Sequence, residues 1–461
     1  MPRFHVEHFG CRAARADGEA ISGLLRTAGH CVGQSTDADV VVVNTCSVTA
    51  EADRAARAFI RRTHRLNPDA RIVVTGCYAQ RAPEELAGLA GVAAVVGNSH
   101  KALAPEIVLG LVRGKAREAA DTALVSVSSL LAGGVPVWAD DRFAHSFIEE
   151  AQLVPGMQTR PNLKIQEGCG NRCTFCVIPQ TRGPSKSLPH AVLMCQVEGF
   201  VAAGGKELVL SGINLGRWGR DSGVTAGGGH TLAGLVREIL ERTELPRLRL
   251  SSIEPMDWDG ELIGLMAEFG GMGLARHAHL PLQSGSDAVL RRMHRRYRPW
   301  HYADKVEALM RAAGPELTLG ADVMVGFPGE TDAEFEETAE MVRALPFGYL
   351  HLFPFSARPG TRGWALHAES PVVQETVAER MAVLRALAAE KSEAHRRRFV
   401  GRELEAITLH TPAATAARAR TAALTENFLP VEMEGCRSAN ELVRVRVTGL
   451  NSEGVLEGCA D

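Results

Sequence analysis

Short apolar runs alternate with helical patterns over the first hundred or so residues of the chain. Residues 39–45 form an almost continuous apolar run, which is typical of a strand buried on both faces of a parallel sheet. Residues 4–9, 71–75 and 92–96 are further strand candidates, and a helix is predicted from about residue 47 to 66. This strand–helix–strand order predicts an α/β fold with a small, doubly wound parallel sheet.

The same alternation resumes on a larger scale in the middle of the chain. The strand candidates are residues 163–166, 207–210, 247–251, 277–282, 318–325 and 349–355, with helical segments between most of them. This order predicts a partial or full TIM-like (βα) barrel, in which the loops at the carboxyl ends of the strands carry the chemistry. A long helix should then begin at Ser370-Pro371, with proline in its first position, and stop near Gly401.

The last sixty or so residues show short β patterns, such as residues 442–447, and predict a small all-β module. The predicted domains are therefore residues 1–135, 155–390 and 396–461. Between the first two, residues of about 105–158 carry weaker signals, with Gly133, Gly134 and Pro136 as breakers, and their end is predicted to be a linker.

Cellular location can be predicted from the hydropathy pattern. No apolar run approaches the roughly 18 residues that span a bilayer, so no membrane contact is expected. The first ten residues lack the apolar stretch of a secretory signal, so a cytoplasmic location is expected.

Composition narrows the function further. The formal net charge of -3 excludes a polybasic protein whose whole surface coats nucleic acid, although a local basic patch is compatible with it. Ten cysteines in a reducing compartment argue against a disulfide framework and favour metal binding or catalysis.

The strongest chemical signal is a group of three cysteines directly after the strand at 163–166. Cys169, Cys173 and Cys176 have the spacing C-x₃-C-x₂-C. Three thiolates suit a cubane iron–sulfur cluster, which takes one ligand per iron, and they leave one iron open for a small molecule. A zinc site lacking its fourth ligand is the alternative, with His190 as a distant candidate for that ligand.

Three more cysteines stand at the ends of predicted strands in the amino-terminal sheet. Cys11, Cys46 and Cys77 each follow one strand, and such ends lie along one edge of a parallel sheet, where ligands bind. A single cysteine of this kind is usually a small buried apolar residue, but three in register predict a second metal centre with an open iron. The cysteines without such a register are expected to be packed or exposed thiols: Cys31, Cys195, Cys436 and Cys459.

Several motifs together resemble the methylthiotransferases, radical S-adenosylmethionine (SAM) enzymes that insert a methylthio group into tRNA or a ribosomal protein. The amino-terminal motifs are Gly10-Cys11, NTCSVT at 44–49 and TGCYAQ at 75–80. The barrel motifs are the cysteine segment with TRG at 181–183, PLQSGS at 281–286 and DVMVGFPGET at 322–331. The segment TENFLPV at 425–431 is similar to the TRAM module, the small β-barrel that binds RNA in this family.

The resemblance implies SAM, as radical source and methyl donor, and two four-iron four-sulfur clusters. Cys169, Cys173 and Cys176 would hold the cluster that chelates SAM, and the other triad would hold an auxiliary cluster that carries the sulfur; no catalytic residue is expected beyond these ligands. Barrel geometry predicts SAM contacts at the carboxyl ends of the later strands. The candidates are Ser211, Gly212, Asn214, Ser252, Glu254, Gln283, Ser284, Asp322 and Gly326. One departure is Ala14, where the family usually has an asparagine after Cys11.

The motifs TGCYAQ, SGINLG at 211–216 and RLSSIEP at 249–255 are most similar to the branch that acts at carbon two of threonylcarbamoyladenosine, next to the tRNA anticodon. The isopentenyladenosine branch is the second possibility, and methylthiolation of a ribosomal-protein aspartate is the third. A metal-binding, RNA-associated protein without catalysis is the alternative from a different class.

The expected partners are the tRNA anticodon arm and an electron donor such as flavodoxin or ferredoxin. From His395 onward there are nine Arg, no Lys and nine Asp or Glu, so RNA binding must depend on where individual arginines lie. The densest basic cluster is Arg291, Arg292, Arg295, Arg296 and Arg298, interleaved with Tyr297 and Trp300. A second is the predicted helix face of Arg54, Arg57, Arg61 and Arg65. For both groups of arginines, the alternative interpretation is a solvated surface that does not contact RNA.

Overall fold

A computed structural model describes residues 2–112, 134–149, 153–154, 159–221 and 230–460. The chain divides into two compact units. Unit one is Met1–Gln152, Lys164–Val192 and Ser356–Trp364, and unit two is Leu153–Leu163, Leu193–Phe355 and Ala365–Asp461. Much of the weakly patterned stretch at 105–158 lies outside the described residues, including Gly133 and most of its end, which was predicted to be a linker. Within the described ranges, no helix is long and apolar enough to cross a membrane.

The first strands of unit one form a parallel sheet. Its strands are β1 (Arg3–His8), β2 (Cys31–Val32), β3 (Val40–Thr45), β4 (Arg71–Gly76), β5 (Val92–Gly97) and β6 (Val137–Trp138). Every pairing is parallel, and the spatial order is β2-β1-β3-β4-β5-β6. This confirms the predicted doubly wound sheet. The strand order reverses between β1 and β3, and ligands of such sheets bind at that point, beyond the carboxyl ends of the strands.

Helices cover both faces of this sheet. They are α1 (Arg12–Thr27), α2 (Ala50–Leu66), α3 (Cys77–Arg81), α4 (Pro83–Ala87) and α5 (Ala104–Val112), with a 3₁₀ segment at Asn98–Leu103. Alternate residues of β3 face opposite sides, so Val40 and Val42 belong to one core and Val41 and Val43 to the other. Burial on both faces explains why the sequence of β3 is an almost continuous apolar run. Helix α2 begins at Ala50 because the Thr49 side chain caps the Ala52 N–H.

Unit one continues with the segment around the second cysteine triad. Strand β7 (Asn162–Glu167) contributes its residues from Lys164 onward to this unit. Its end pairs antiparallel with β8 (Lys186–Ser187). Helix α6 (Ile178–Arg182) lies between these two strands in sequence and follows the three cysteines.

Unit two contains a run of parallel strands. They are β9 (Glu207–Gly212), β10 (Arg247–Leu250), β11 (His277–His279), β12 (Thr318–Val325) and β13 (Phe347–Pro354). Strand β9 pairs with β10, and β12 lies between β11 and β13. Isolated parallel bridges, such as Ser252 with His279, join the two groups. This arrangement confirms a partial α/β barrel.

The helices of this part of the chain alternate with the strands. They are α7 (His190–Ala202), α8 (Leu232–Arg242), α9 (Gly260–Phe269), α10 (Asp287–Arg292), α11 (Pro299–Ala313), α12 (Asp332–Ala344), α13 (Arg362–Glu369) and α14 (Gln374–Arg397), with 3₁₀ turns at Leu215–Arg217 and Pro255–Asp257. The helix start predicted at Ser370-Pro371 is wrong, because α14 begins at Gln374. Helix α13 ends just before Pro371, and proline is common after a helix since it cannot continue the hydrogen bonding.

The carboxyl-terminal module is a closed β-barrel, as predicted. Its strands are β14 (Glu403–Thr408), β15 (Arg420–Thr425), β16 (Pro430–Glu434), β17 (Leu442–Leu450) and β18 (Leu456–Ala460), with a short helix α15 (Ala413–Ala416). In β17, Val443, Val445 and Val447 point into the core, whereas Arg444 and Arg446 are exposed. This alternation places the valine side chains in a small apolar core and the arginine side chains on the surface of the barrel.

Candidate metal centres and cofactor site

The amino-terminal cysteines lie at one edge of the parallel sheet. Cys11 follows β1, Cys46 follows β3 and Cys77 follows β4, and these three strands are neighbours in space. Gly10 adopts φ 133°, and a Cβ at this position would lie 2.7 Å from the Cβ of Cys46. A glycine therefore allows the turn that carries Cys11 to approach Cys46. This edge includes the β1–β3 reversal point, so the structure brings the three predicted residues together there.

The thiol of Cys46 shows how closely this triad is grouped. Burial, followed by the charges of Cys77 and Cys11, raises the pKa of Cys46 to about 12. The metal-free thiol is therefore protonated at neutral pH, and binding of a metal centre must release that proton. Cys31, Cys195, Cys436 and Cys459 are all exposed, in agreement with one of the two states expected for them.

The second triad lies in the short loop between β7 and α6. Backbone hydrogen bonds fold this loop: the N–H of Cys169 donates to the Gly183 carbonyl at 3.1 Å, and the N–H of Cys176 donates to the Cys173 carbonyl at 3.1 Å. All three cysteines are partly exposed. The loop therefore presents its thiols where a ligand can reach them.

The spacing of the sulfurs distinguishes between kinds of metal centre. Thiolates around a single zinc lie about 3.8 Å apart, as tetrahedral bonds of roughly 2.3 Å require. Among the described residues, neither cysteine triad has its three Sγ atoms within 4.8 Å of one another. Three thiolates with this wider spacing fit a multi-iron cluster better than a single zinc ion.

Five buried charged side chains lie beside these cysteines, here termed the buried charge cluster: Asp17, Lys101, Lys164, Glu167 and Arg182. Lys101 Nζ lies 2.5 Å from an Asp17 oxygen, and Lys164 Nζ lies 2.5 Å from a Glu167 oxygen. Lys164 also binds Asp17. Arg182 Nη1 donates to Glu167 at 2.6 Å and to Asp17 at 3.3 Å. Helix α1, the 3₁₀ segment, β7 and α6 are thus joined by ion pairs.

The mutual contacts keep most of these groups charged. Burial by itself would lower the pKa of Arg182, but Cys77, Glu167 and Asp17 raise it well above its usual value. Burial would raise the pKa of Glu167, but Arg182, Lys164 and Lys101 lower it below the usual range. The cluster therefore holds ionised groups away from water, an arrangement that is stable only while each member is paired.

The Cys77 sulfur receives two side-chain hydrogen bonds. Arg182 Nε donates to Cys77 Sγ at 3.3 Å, and Asn98 Nδ2 donates to the same atom at 3.4 Å. Asn98 Nδ2 also donates to the Thr181 carbonyl at 2.7 Å. Arg182 Nη2 is buried and has no hydrogen-bond partner among the described residues. These donors suit the anionic sulfurs of an iron–sulfur cluster.

A second ion-pair network surrounds the residue after Cys46. The hydroxyl of Ser47 donates to Asp53 at 3.0 Å and accepts from Arg81 Nε at 2.7 Å. Arg81 also pairs with Asp53 at 2.8 Å, and Arg358 binds both Asp53 and Ser47. The segment Ser356–Trp364 is thereby held within unit one.

Most predicted SAM contacts follow strand ends in unit two. Ser211 and Gly212 end β9, Ser252 and Glu254 follow β10, Gln283 and Ser284 follow β11, and Gly326 follows β12. Asn214 precedes the 3₁₀ turn after β9, whereas Asp322 lies within β12. The SAM-contact assignments themselves remain predictions.

Gln283 has the features expected of a ligand contact. It is buried, adopts φ 63° although it is not a glycine, and its Oε1 has no hydrogen-bond partner among the described residues. Such backbone strain is concentrated at functional sites. By contrast, the hydroxyl of the fully buried Ser284 bonds Thr338, and a Cβ on Gly326 would lie 2.5 Å from Val377. Ser284 and Gly326 therefore also have roles in local packing, and their SAM contacts stay predictions.

A polar group on three adjacent strands surrounds Asp322. His279 on β11 and His351 on β13 each place a ring nitrogen 3.2 Å from an Asp322 oxygen. Tyr349 Oη lies 3.0 Å from His279 Nδ1 and 2.8 Å from His277 Nε2. Burial raises the pKa of Asp322, but the hydrogen bonds from His279 and His351 outweigh it and lower that pKa below its usual range. Asp322 is therefore an anionic acceptor held between two imidazoles.

Comparison with known proteins agrees with this architecture. Residues 3–97 match the model described as Uncharacterized protein family UPF0004, and residues 163–342 match the Radical SAM superfamily. The threonylcarbamoyladenosine tRNA methylthiotransferase MtaB of Aquifex aeolicus is 33% identical over 96% of this chain and 99% of its own length. The chain belongs to the radical SAM methylthiotransferase family. The Bacillus subtilis relative of the same name is 35% identical over 96% of this chain and 93% of its own length.

Two further comparisons bear on the branch and the fold of this methylthiotransferase. A Cereibacter sphaeroides relative named tRNA-2-methylthio-N(6)-dimethylallyladenosine synthase is 35% identical over 87% of the chain and 86% of its own length. The solved radical SAM methyltransferase TsrM from Kitasatospora setae is 16% identical, with a TM-score of 0.55 over 77% of this chain and 75% of that one, and so shares the fold. Family membership confirms the predicted enzyme class and its cofactors, SAM and two four-iron four-sulfur clusters.

Several residues of these sites have no sequence motif that marks them as contacts. They are Asp17, Lys101, Asn98, His279 and His351. A usable signal existed for Lys164 and Glu167, because charged residues in a strand predicted to be buried require partners. No local signal indicates which distant residues those partners are.

Proposed function

We propose that this methylthiotransferase inserts a methylthio group at carbon two of threonylcarbamoyladenosine in tRNA, next to the anticodon. The observation that carries the proposal is near full-length similarity to relatives named for that reaction, which align over 443 and 452 residues. Relatives named for dimethylallyladenosine align over 408 residues. The tRNA substrate class is common to both sets of names.

In this proposal each cysteine triad holds one cluster. Cys169, Cys173 and Cys176 leave one iron open for SAM, and Cys11, Cys46 and Cys77 leave one open for the sulfur to be transferred. SAM and the clusters supply the radical chemistry that activates an aromatic carbon–hydrogen bond. The chain's own residues bind and orient the cofactors and the substrate, and they exclude water. Cys46 and Cys77 are buried and Cys11 is exposed, so the proposed auxiliary centre would have two enclosed ligands and one at the surface.

The proposed SAM contacts lie on the later strands of the partial barrel. Gln283 has the strongest support, because its buried Oε1 can accept a hydrogen bond from a ligand amine. Asp322, held by His279 and His351, is a second acceptor. Ser211, Gly212, Asn214, Ser252 and Glu254 remain in the proposal through their positions after strand ends.

The proposed surface for tRNA phosphates is the exposed face of α2. Arg54, Arg61 and Arg65 are exposed and form no ion pair among the described residues, whereas Arg57 pairs with Glu85 at 3.0 Å. The alternative cluster is largely neutralised. Its pairs are Arg291 and Arg298 with Asp287, Arg292 with Glu334, and the buried Arg295 with Glu254. Unpaired arginines bind phosphates at a smaller desolvation cost.

Two further parts of the proposal concern the setting of the reaction. Cleavage of SAM needs one electron, which we assign to a donor such as flavodoxin or ferredoxin. A tRNA substrate and thiolates that must stay reduced both favour the cytoplasm.

Nucleoside analysis of tRNA tests this function. A host strain that lacks methylthiolated threonylcarbamoyladenosine should regain it when this chain is expressed, as measured by mass spectrometry. Cys77→Ala should abolish the product, and the exposed Cys31→Ala should not. If threonylcarbamoyladenosine is unchanged while isopentenyladenosine gains the methylthio group, the branch assignment is wrong.

A further inference from the structure

The hydrogen bonds to the auxiliary cysteines are unequal. Cys77 Sγ accepts from the Arg182 guanidinium and from the Asn98 amide. Cys46 Sγ accepts from the backbone N–H of Val48 at 3.5 Å. Both donor side chains of Cys77 are almost fully buried, so water does not screen the contacts. A cationic donor is therefore directed at one particular sulfur of this triad.

The buried charge cluster carries an excess of positive charge. Its three cations, Lys101, Lys164 and Arg182, face two carboxylates, Asp17 and Glu167. An unbalanced buried charge destabilises the folded protein unless an anion lies nearby. Within the described part of the chain, Cys77 contacts this cluster through Arg182, and it is anionic once it is a thiolate. Negative charge at Cys77 would therefore offset the formal excess of cations in this cluster, in which burial lowers the pKa of Lys101.

Arg182 has a donor left for that negative charge. Its Nε binds Cys77, and its Nη1 binds Glu167 and Asp17. Its Nη2 is buried without a partner among the described residues. A buried donor without a partner costs free energy. A sulfur of a cluster held by Cys77 would satisfy this donor.

We propose that Arg182 is a positioning residue that raises the reduction potential of the auxiliary cluster, through its positive charge and its N–H···S bond to Cys77. The inference rests on the proposed cluster ligands. Reduction adds an electron, and a nearby cation and N–H···S bonds stabilise the more negative state, so the potential rises. Arg182 is the last residue of α6, the helix that follows the loop of Cys169, Cys173 and Cys176. Its bond to Cys77 therefore links the two cysteine-bearing segments of unit one.

The test measures the auxiliary cluster alone. The parent protein carries Cys169→Ala, Cys173→Ala and Cys176→Ala. It can therefore load only the auxiliary cluster, on Cys11, Cys46 and Cys77. Arg182→Gln, Arg182→Lys and Lys101→Gln are made in this parent, reconstituted without oxygen, and titrated redox-potentiometrically with detection by electron paramagnetic resonance. Lys101 is the matched control, because it is an equally buried cation of the same cluster that contacts Asp17. Iron content and circular dichroism check loading and folding.

Arg182→Gln should lower the potential, Arg182→Lys should lower it less, and Lys101→Gln should change it least. An unchanged potential in Arg182→Gln, or an equal shift in Lys101→Gln, would overturn the proposal. If Arg182→Gln does not load, Arg182→Lys decides: a lowered potential supports the proposal and the parent's potential overturns it. Loss of iron from both folded variants would show a purely structural role and also overturn it.

A second background separates this inference from the proposed function. In a protein with Cys11→Ala, Cys46→Ala and Cys77→Ala, Arg182→Gln should shift the remaining cluster less than it shifts the auxiliary cluster. An equal shift in both backgrounds would contradict an effect through Cys77. An iron-free parent would instead contradict the ligand assignment of the proposed function, and the inference would fall with it.

Discussion

Glu426 accepts two hydrogen bonds from Arg276, one from its backbone N–H at 2.9 Å and one from its Nε at 2.8 Å. Arg276 directly precedes β11 of the partial barrel, and Glu426 directly follows β15 of the terminal β-barrel. Glu426 is only 5% exposed. A charge-assisted contact of this kind fixes the terminal module to the parallel strands of unit two.

Glu426→Ala should therefore lower the free energy of unfolding by about 2 kcal/mol, since hydrogen bonds to a charged group are lost. Urea unfolding, followed by circular dichroism, measures the change. Glu403→Ala is the matched control from the same module, because its pair with Arg446 is half exposed and should contribute less than about 1 kcal/mol. Equal losses in the two variants would show that the Glu426 contact is not a docking interaction.

Asp17→Asn should destabilise unit one by about 3 to 5 kcal/mol, because it leaves two lysines and Arg182 buried with too little negative charge. Thermal unfolding measures this loss, and the iron content after reconstitution should fall as well. Asp37→Asn removes the partner of Arg3 at the surface and should change the stability by less than about 1 kcal/mol. A stable, fully loaded Asp17→Asn protein would rule out a structural need for the charge.

His395 should make the stability depend on pH. Its ring is buried and lies 2.9 Å from the Thr318 hydroxyl, and burial, assisted by Arg398 and Arg396, lowers its pKa to about 4. The unfolded chain binds a proton below about pH 6.5 and the folded chain does not, so stability is lost as the pH falls from 6.5 towards 4.

The contribution lost between about pH 7.5 and pH 5 is about 2 kcal/mol. Urea unfolding of the wild-type protein and of His395→Gln at both pH values measures it as a difference, in which other titrating groups cancel. The variant should show the smaller drop in stability. A drop of the same size in both proteins would mean that His395 is not held neutral by burial.

Arg61→Ala should weaken tRNA binding and reduce the slope of log affinity against log salt by up to about 1, if Arg61 contacts a phosphate. Filter binding at several salt concentrations measures both quantities. Arg311→Ala is the control, because Arg311 is an exposed helical arginine that already pairs with Glu307. If the two variants bind equally well, the α2 face is a solvated surface.

The described strands agree closely with those predicted from the pattern. Strand β12 has the predicted bounds, and the run at 39–45 corresponds to β3 at Val40–Thr45. Such strands are easy to recognise in the sequence, because burial on both faces requires an apolar residue at every position. The start of α14 was misplaced because Pro371 fits the end of one helix as well as the start of the next. Local sequence does not distinguish those two cases.

Local spacing in the sequence is enough to predict the order of strands and helices, the two cysteine triads and the family to which they point. It did not determine that Arg182 meets Cys77, 105 residues away, or that His351 meets Asp322 across two strands. Those contacts depend on sheet order and on the pairing of buried charges. They are visible only after folding, because many arginines and histidines have the same local sequence pattern. Only a few of them lie where a buried group needs a partner.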